Sequence, residues 1–125
     1  MIEGSRKADL TAELRVRTHK IVSGLSEKQG GHDEGPNPHE ILESALAACT
    51  ILTAQLYAKR TNLALESADV KVQILSEGPE TVISREISYR GDLTSEEKEH
   101  LSEILQRCPI HKLLESHVTI QTQVK

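Results

Sequence analysis

The sequence predicts an α+β domain with helices on one face of an antiparallel sheet. Three observations carry this. A length of 125 residues fits a single domain spanning 1–125. Several short stretches alternate apolar and polar residues, the pattern of half-buried strands. Helical segments with clear start signals lie among them, without the regular strand–helix–strand order of a parallel sheet.

Taken in order, residues 1–9 read as a frayed, polar start. From Leu10 to Gly24 the chain has strand character, with Leu14 and Val16 alternating against Glu13, Arg15 and Arg17. Thr18-His19-Lys20 is expected to turn, and Ile21-Val22 to form a second short strand. Gly30-Gly31-His32-Asp33-Glu34-Gly35-Pro36-Asn37 is a loop, since three Gly and a Pro break any regular element.

The next helix has the strongest signal. Asn37 suits the N-cap, Pro38 the first helical position, and Glu40 the third residue after the cap. Between Ala45 and Ala54 only small, hydroxyl or aliphatic residues and one Cys occur. A surface helix would carry a charged stripe there, so this section is expected to be buried on all sides. Lys59-Arg60 suits its C-terminus.

Val70, Val72 and Ile74 alternate with Lys71 and Gln73, and Ile83, Ile87 and Tyr89 with Ser84, Glu86 and Ser88. Arg85 is the one charge on the apolar side of that second strand. A turn is expected around Glu77-Gly78-Pro79. Thr94-Ser95-Glu96-Glu97 forms a capping box before a helix burying Leu101, Ile104 and Leu105. Cys108-Pro109 opens another short helix to about Glu115, and Val118, Ile120 and Thr122 alternate into a final strand. A chain of this size covers one face of its long helix, so a second copy is the simplest cover for the rest.

Composition narrows the function. The core must be aliphatic, because the chain has two Tyr and no Phe or Trp. A net charge of −4 argues against a duplex-DNA or membrane-surface binder, and two tyrosines make a poor stacking platform for single strands. The start, Met1-Ile2-Glu3-Gly4-Ser5-Arg6-Lys7, lacks the apolar stretch of a signal peptide, and no continuous apolar run approaches a membrane span. A cytoplasmic protein is the expectation. There, two cysteines are either buried filler or chemistry.

Cys49 falls mid-helix, in Ala47-Ala48-Cys49-Thr50, where a free thiol packs as a small hydrophobe or reacts. Cys108 falls where a helix begins, facing backbone N–H groups that favour thiolate; it too can simply pack. His111 follows three residues on, at the surface or beside Cys108. If the fold brings them near each other, the thiols suit attack on a peroxide oxygen and resolution of the sulfenic acid as a disulfide. The competing use is zinc, held by Cys49, Cys108, His111 and either His32 or His39, although no CxxC or HxxxH supports it.

The segments Gly30-Gly31-His32-Asp33-Glu34-Gly35-Pro36-Asn37-Pro38-His39-Glu40-Ile41-Leu42, Ala45-Leu46-Ala47-Ala48-Cys49-Thr50 and Arg107-Cys108-Pro109-Ile110-His111-Lys112 resemble the OsmC/Ohr family of osmotically inducible and organic-hydroperoxide-resistance proteins. The resemblance covers nearly the whole chain and is nearer to the shorter OsmC-like members. It implies an antiparallel sheet wrapped around a long buried central helix, in an intertwined homodimer. It implies a thiol peroxidase with Cys49 peroxidatic and Cys108 resolving, reduced by a dithiol such as a lipoylated protein. No metal, haem or flavin cofactor is implied, and hydroperoxides are the substrates.

The family's catalytic set also includes a Glu and an Arg. His39 stands at the Glu position, and Glu40, one residue later, is turned by about 100° around the helix. The ten residues from 39 to 49 span about 15 Å of helix, so neither side chain reaches Cys49 of its own helix. Arg15 and Arg17 are the candidates for the Arg. The alternative function is an OsmC-fold protein without efficient peroxidase activity, binding a small apolar ligand at the dimer interface.

Overall fold

The computed structural model describes residues 1–125. Its elements are β1 (Glu3–Ala8), β2 (Thr11–Val16), β3 (His19–Gly24), a 3-10 turn (Glu27–Gln29), α1 (Pro38–Thr61), β4 (Leu65–Ser76), β5 (Val82–Gly91), α2 (Ser95–Leu105) and α3 (Pro109–Leu114). This is an α+β architecture with two antiparallel sheets and one long helix, as expected. The chain divides into two compact units, Met1–Ser44 and Ala45–Lys125.

The first unit holds the three-stranded sheet, in the order β1-β2-β3. Residues 3–8 are not frayed: they pair with β2 from Glu3↔Arg15 to Ala8↔Thr11. All six β1 residues are exposed, so this strand rests on its backbone ladder and leaves no hydrophobic pattern to read. The β2–β3 turn also falls earlier than expected. Val16 pairs with His19, so Arg17 and Thr18 make a two-residue hairpin loop, with Arg17 left-handed at φ 54.

The loop that follows is glycine-rich because backbones approach closely. A Cβ on Gly35 would lie 2.3 Å from the Val22 carbonyl oxygen, and one on Gly31 would lie 2.2 Å from that of Leu25. The Ser23 hydroxyl donates to the Pro36 carbonyl at 2.8 Å, tying the loop to β3. At the start of α1, Asn37 Oδ1 accepts from the Glu40 N–H at 2.9 Å, and Glu40 Oε1 accepts from the Asn37 N–H at 3.0 Å. Two of the donors that a helix start leaves unpaired are thereby satisfied.

The second unit pairs β4 with β5 as a long hairpin, with Val70 opposite Ile87 and Val72 opposite Arg85. On the exposed face, Arg90 Nε donates to Asp69 Oδ2 at 2.6 Å. That bond, with a second from Ser67, holds the Asp69 carboxyl below the usual carboxylate range. The Thr94/Glu97 capping box opens α2, as its spacing predicts. Ala54, Ala58, Leu65, Ala68, Leu101 and Leu105 form the core, flanked by Tyr57, Leu63, Ile87, Tyr89 and Leu93. With so few aromatics, alanines on α1 and β4 let the backbones approach, and leucines from α2 fill the space between.

Along α1 the buried residues are Leu46, Thr50, Ala54 and Ala58, a single stripe at four-residue spacing. Ala45, Ala48, Leu52 and Leu56 are exposed on another side, Leu52 by 68%. One chain therefore covers one face of its long helix. By length and composition α1 would also span a bilayer, but its buried stripe enters the core just described.

The expected strand at Val118–Thr122 does not form. Residues beyond α3 carry no regular structure, and Val118 and Ile120 are 55% and 83% exposed. The alternation is present, but no neighbouring strand takes up its backbone groups.

Candidate active site

The site is built in the second unit from α1, β5 and the α2–α3 junction. Cys108 is the N-cap of α3, its backbone extended at φ −62 and ψ 142, with Pro109 next as the sequence predicts. Its side chain is fully buried. Cys49 lies one residue before the buried Thr50 on α1; it is half-buried, with Sγ 3.8 Å from the Thr53 hydroxyl. Both cysteines are free thiols.

Arg85 joins these segments. Its Nη1 donates to Thr50 Oγ1 at 3.1 Å and to Cys108 Sγ at 3.7 Å. Its Nη2 donates to the Leu105 carbonyl at 3.1 Å and lies 2.9 Å from His111 Nδ1. Two hydrogens on each terminal nitrogen meet these four partners, so all four are used. Thr50 can accept because its own hydrogen goes to the Leu46 carbonyl at 2.8 Å. A guanidinium has no acceptor, so His111 Nδ1 must accept and the imidazole proton sits on Nε2. From there it reaches Glu115 Oε1 at 2.9 Å. Both ring nitrogens are thus engaged in hydrogen bonding.

The other candidates occupy the first unit. Glu40 closes the cap on Asn37, and His39 is exposed beside it as the second residue of α1. Arg15 pairs with Glu13 at 2.8 Å. The Arg15 guanidinium leads the interactions that hold the Glu13 carboxyl below its ordinary range, with Lys20 assisting. Arg17 is exposed at the tip of the β2–β3 hairpin.

Arg85 is the residue that sequence reasoning did not place in the site. Its signal was present, as the single charge on the apolar side of β5. A guanidinium on that side must find acceptors within the fold, and here it finds them around Cys108.

Comparison with known proteins agrees with the motif reading. The family model for OsmC-like protein matches residues 31–123. An OsmC-like protein of Mycoplasma pneumoniae has a similar structure at TM-score 0.74 and 21% identity, over 92% of this chain and 86% of that one. A Legionella pneumophila structure, described as an organic hydroperoxide resistance protein OsmC, gives 0.67 at 17% identity over 92% and 88%. A Psychrobacter arcticus protein assigned to an osmotic stress induced and detoxification response gives 0.76 at 15% identity over 90% and 85%. At these identities structural likeness establishes the fold and not the reaction. No curated protein matches the chain. The match across most of the sequence, with a fold shared by these structures, places the chain in the OsmC-like family.

Proposed function

We propose that this protein is a cytoplasmic, thiol-dependent hydroperoxide reductase, favouring organic hydroperoxides. The observation that carries the reading is Arg85, which hydrogen-bonds both the residue after Cys49 and the Cys108 sulfur. One cation thus attends the segments that bear the two thiols.

The chemistry balances with a thiol pair alone. Cys49, the more accessible sulfur, attacks the distal peroxide oxygen as thiolate. The O–O bond breaks, the alcohol leaves with a proton, and Cys49 becomes the sulfenic acid. Cys108 then attacks that sulfur. An S–S bond forms, the S–O bond breaks, and the hydroxide takes up a proton to leave as water. An external dithiol, such as a lipoylated protein, returns both thiols and is itself oxidised to a disulfide.

A homodimer completes the reading. The exposed Ala45, Ala48, Leu52 and Leu56 form an apolar stripe on α1 of the kind that a second copy covers. Sedimentation should give twice the chain mass of 13.8 kDa. Leu52→Glu should shift the protein toward monomer; an unchanged dimer would remove α1 from the interface.

A second reading, an OsmC-fold protein that binds a small apolar ligand at the dimer interface, draws on Glu40. Its carboxylate is occupied at the Asn37 N–H, and His39 stands at the family's Glu position. Turnover of a tert-alkyl hydroperoxide with dihydrolipoamide decides between them. The peroxidase reading expects many turnovers per subunit and slower turnover of hydrogen peroxide. Consumption no faster than by dihydrolipoamide alone would favour the binding protein.

A further inference from the structure

We propose that Arg85 is the positioning residue of the cysteine pair, its charge holding the Cys108 sulfur as the anion of the reduced protein. This rests on the peroxidase reading and assigns the residue that prepares the resolving step. The half-buried guanidinium has four partners: a threonine hydroxyl, a backbone carbonyl, a neutral imidazole nitrogen and a thiol sulfur. None is a carboxylate. A charge withdrawn from water is costly unless it meets an opposite one, and of these four groups only the sulfur becomes an anion near neutral pH.

The other titratable groups at Cys108 leave this pairing in place. From α3, His111 turns its lone pair to Arg85 and its Nε2 proton to the exposed Glu115, so it adds no second cation. From α1, Cys49 stands one residue before Thr50, and its sulfur faces Thr53. Arg107, next in sequence to Cys108, is exposed. The arrangement divides the labour: Cys49 is the accessible sulfur, while Cys108, closed off from solvent, is ionised in advance for the second step.

The redox consequence follows from the same charge. Closing the Cys49–Cys108 bond removes the anion from Arg85, so the cation stabilises the reduced pair relative to the disulfide. A disulfide whose reduced form is stabilised is a better oxidant, and it accepts electrons more readily from an external dithiol.

The test separates charge from hydrogen bonding. In a Cys49→Ser background Cys108 is the sole thiol, and its ionisation is read from the ultraviolet absorbance of the thiolate against pH. Arg85→Gln, which keeps an N–H donor but not the charge, should move the midpoint upward by about one pH unit, a tenfold loss of thiolate near neutrality. Arg85→Lys, which keeps the charge without the fork, should restore most of it. With both cysteines present, Arg85→Gln should lower the equilibrium constant for disulfide reduction by glutathione about tenfold, or about 30 mV.

Equal midpoints for the Gln and Lys variants would overturn the proposal, because only a structural role treats them alike. If the midpoints separate but hydroperoxide never links the cysteines, the Arg85 assignment stands and the peroxidase reading fails. If the disulfide forms and the midpoints coincide, Arg85 alone is misassigned.

Discussion

Cys49→Ser is expected to abolish hydroperoxide consumption down to the uncatalysed background. No second thiol can replace it, because Cys108 is fully buried and engaged by Arg85. Cys108→Ser should behave differently. Its Cys49 still reacts with a single equivalent of hydroperoxide per subunit and then stops at the sulfenic acid, which a dimedone-type reagent traps. Stopped consumption with a trapped adduct at Cys49 in one variant, and none in the other, assigns the order of the two thiols. The reverse pattern would make Cys108 the attacking sulfur.

Leu101→Ala is expected to cost about 2–5 kcal/mol, a large share of the roughly 5–15 kcal/mol that a domain of this kind possesses. Leu101 is fully buried in a core to which α1 contributes Ala54 and Ala58, and β4 contributes Ala68 beside Leu65. Those alanines cannot re-orient into the space that a leucine leaves, so most of the cavity should persist. Leu113→Ala, on the exposed side of α3, should change stability by no more than about 0.5 kcal/mol. Urea denaturation of both variants measures the contrast. Comparable losses would show that the solvent-facing side of α3 is buried in the assembled protein.

What was legible in the sequence was what local chemistry determines. Asn37, Pro38 and Glu40 announced the start of α1 because capping needs no distant partner. Thr94 and Glu97 did the same for α2, and Cys108-Pro109 for α3. The β4–β5 alternation was legible because one face of that hairpin packs on leucines. β1 was not, since its residues are exposed and only the backbone of β2 holds it. Val118–Thr122 shows the converse, a strand pattern without a strand, because alternation records a face and not the ladder that must accept it. The site divided along the same line. The cysteines stood out by rarity and context, whereas Arg85 meets Cys108 and Thr50 only through folding, across 23 and 35 residues of sequence. Arg15 and Arg17 are the resemblance's candidates for the cation at Cys49, whereas the cation at Cys108 comes from β5.

The cysteine-pair chemistry is tested by treating the reduced protein with one equivalent of an organic hydroperoxide, followed by intact mass and peptide mapping without reductant. A cysteine-pair peroxidase should lose two hydrogens per subunit and yield a peptide in which Cys49 is linked to Cys108. An unchanged mass, with both cysteines recovered as free thiols and the hydroperoxide intact, would contradict that chemistry.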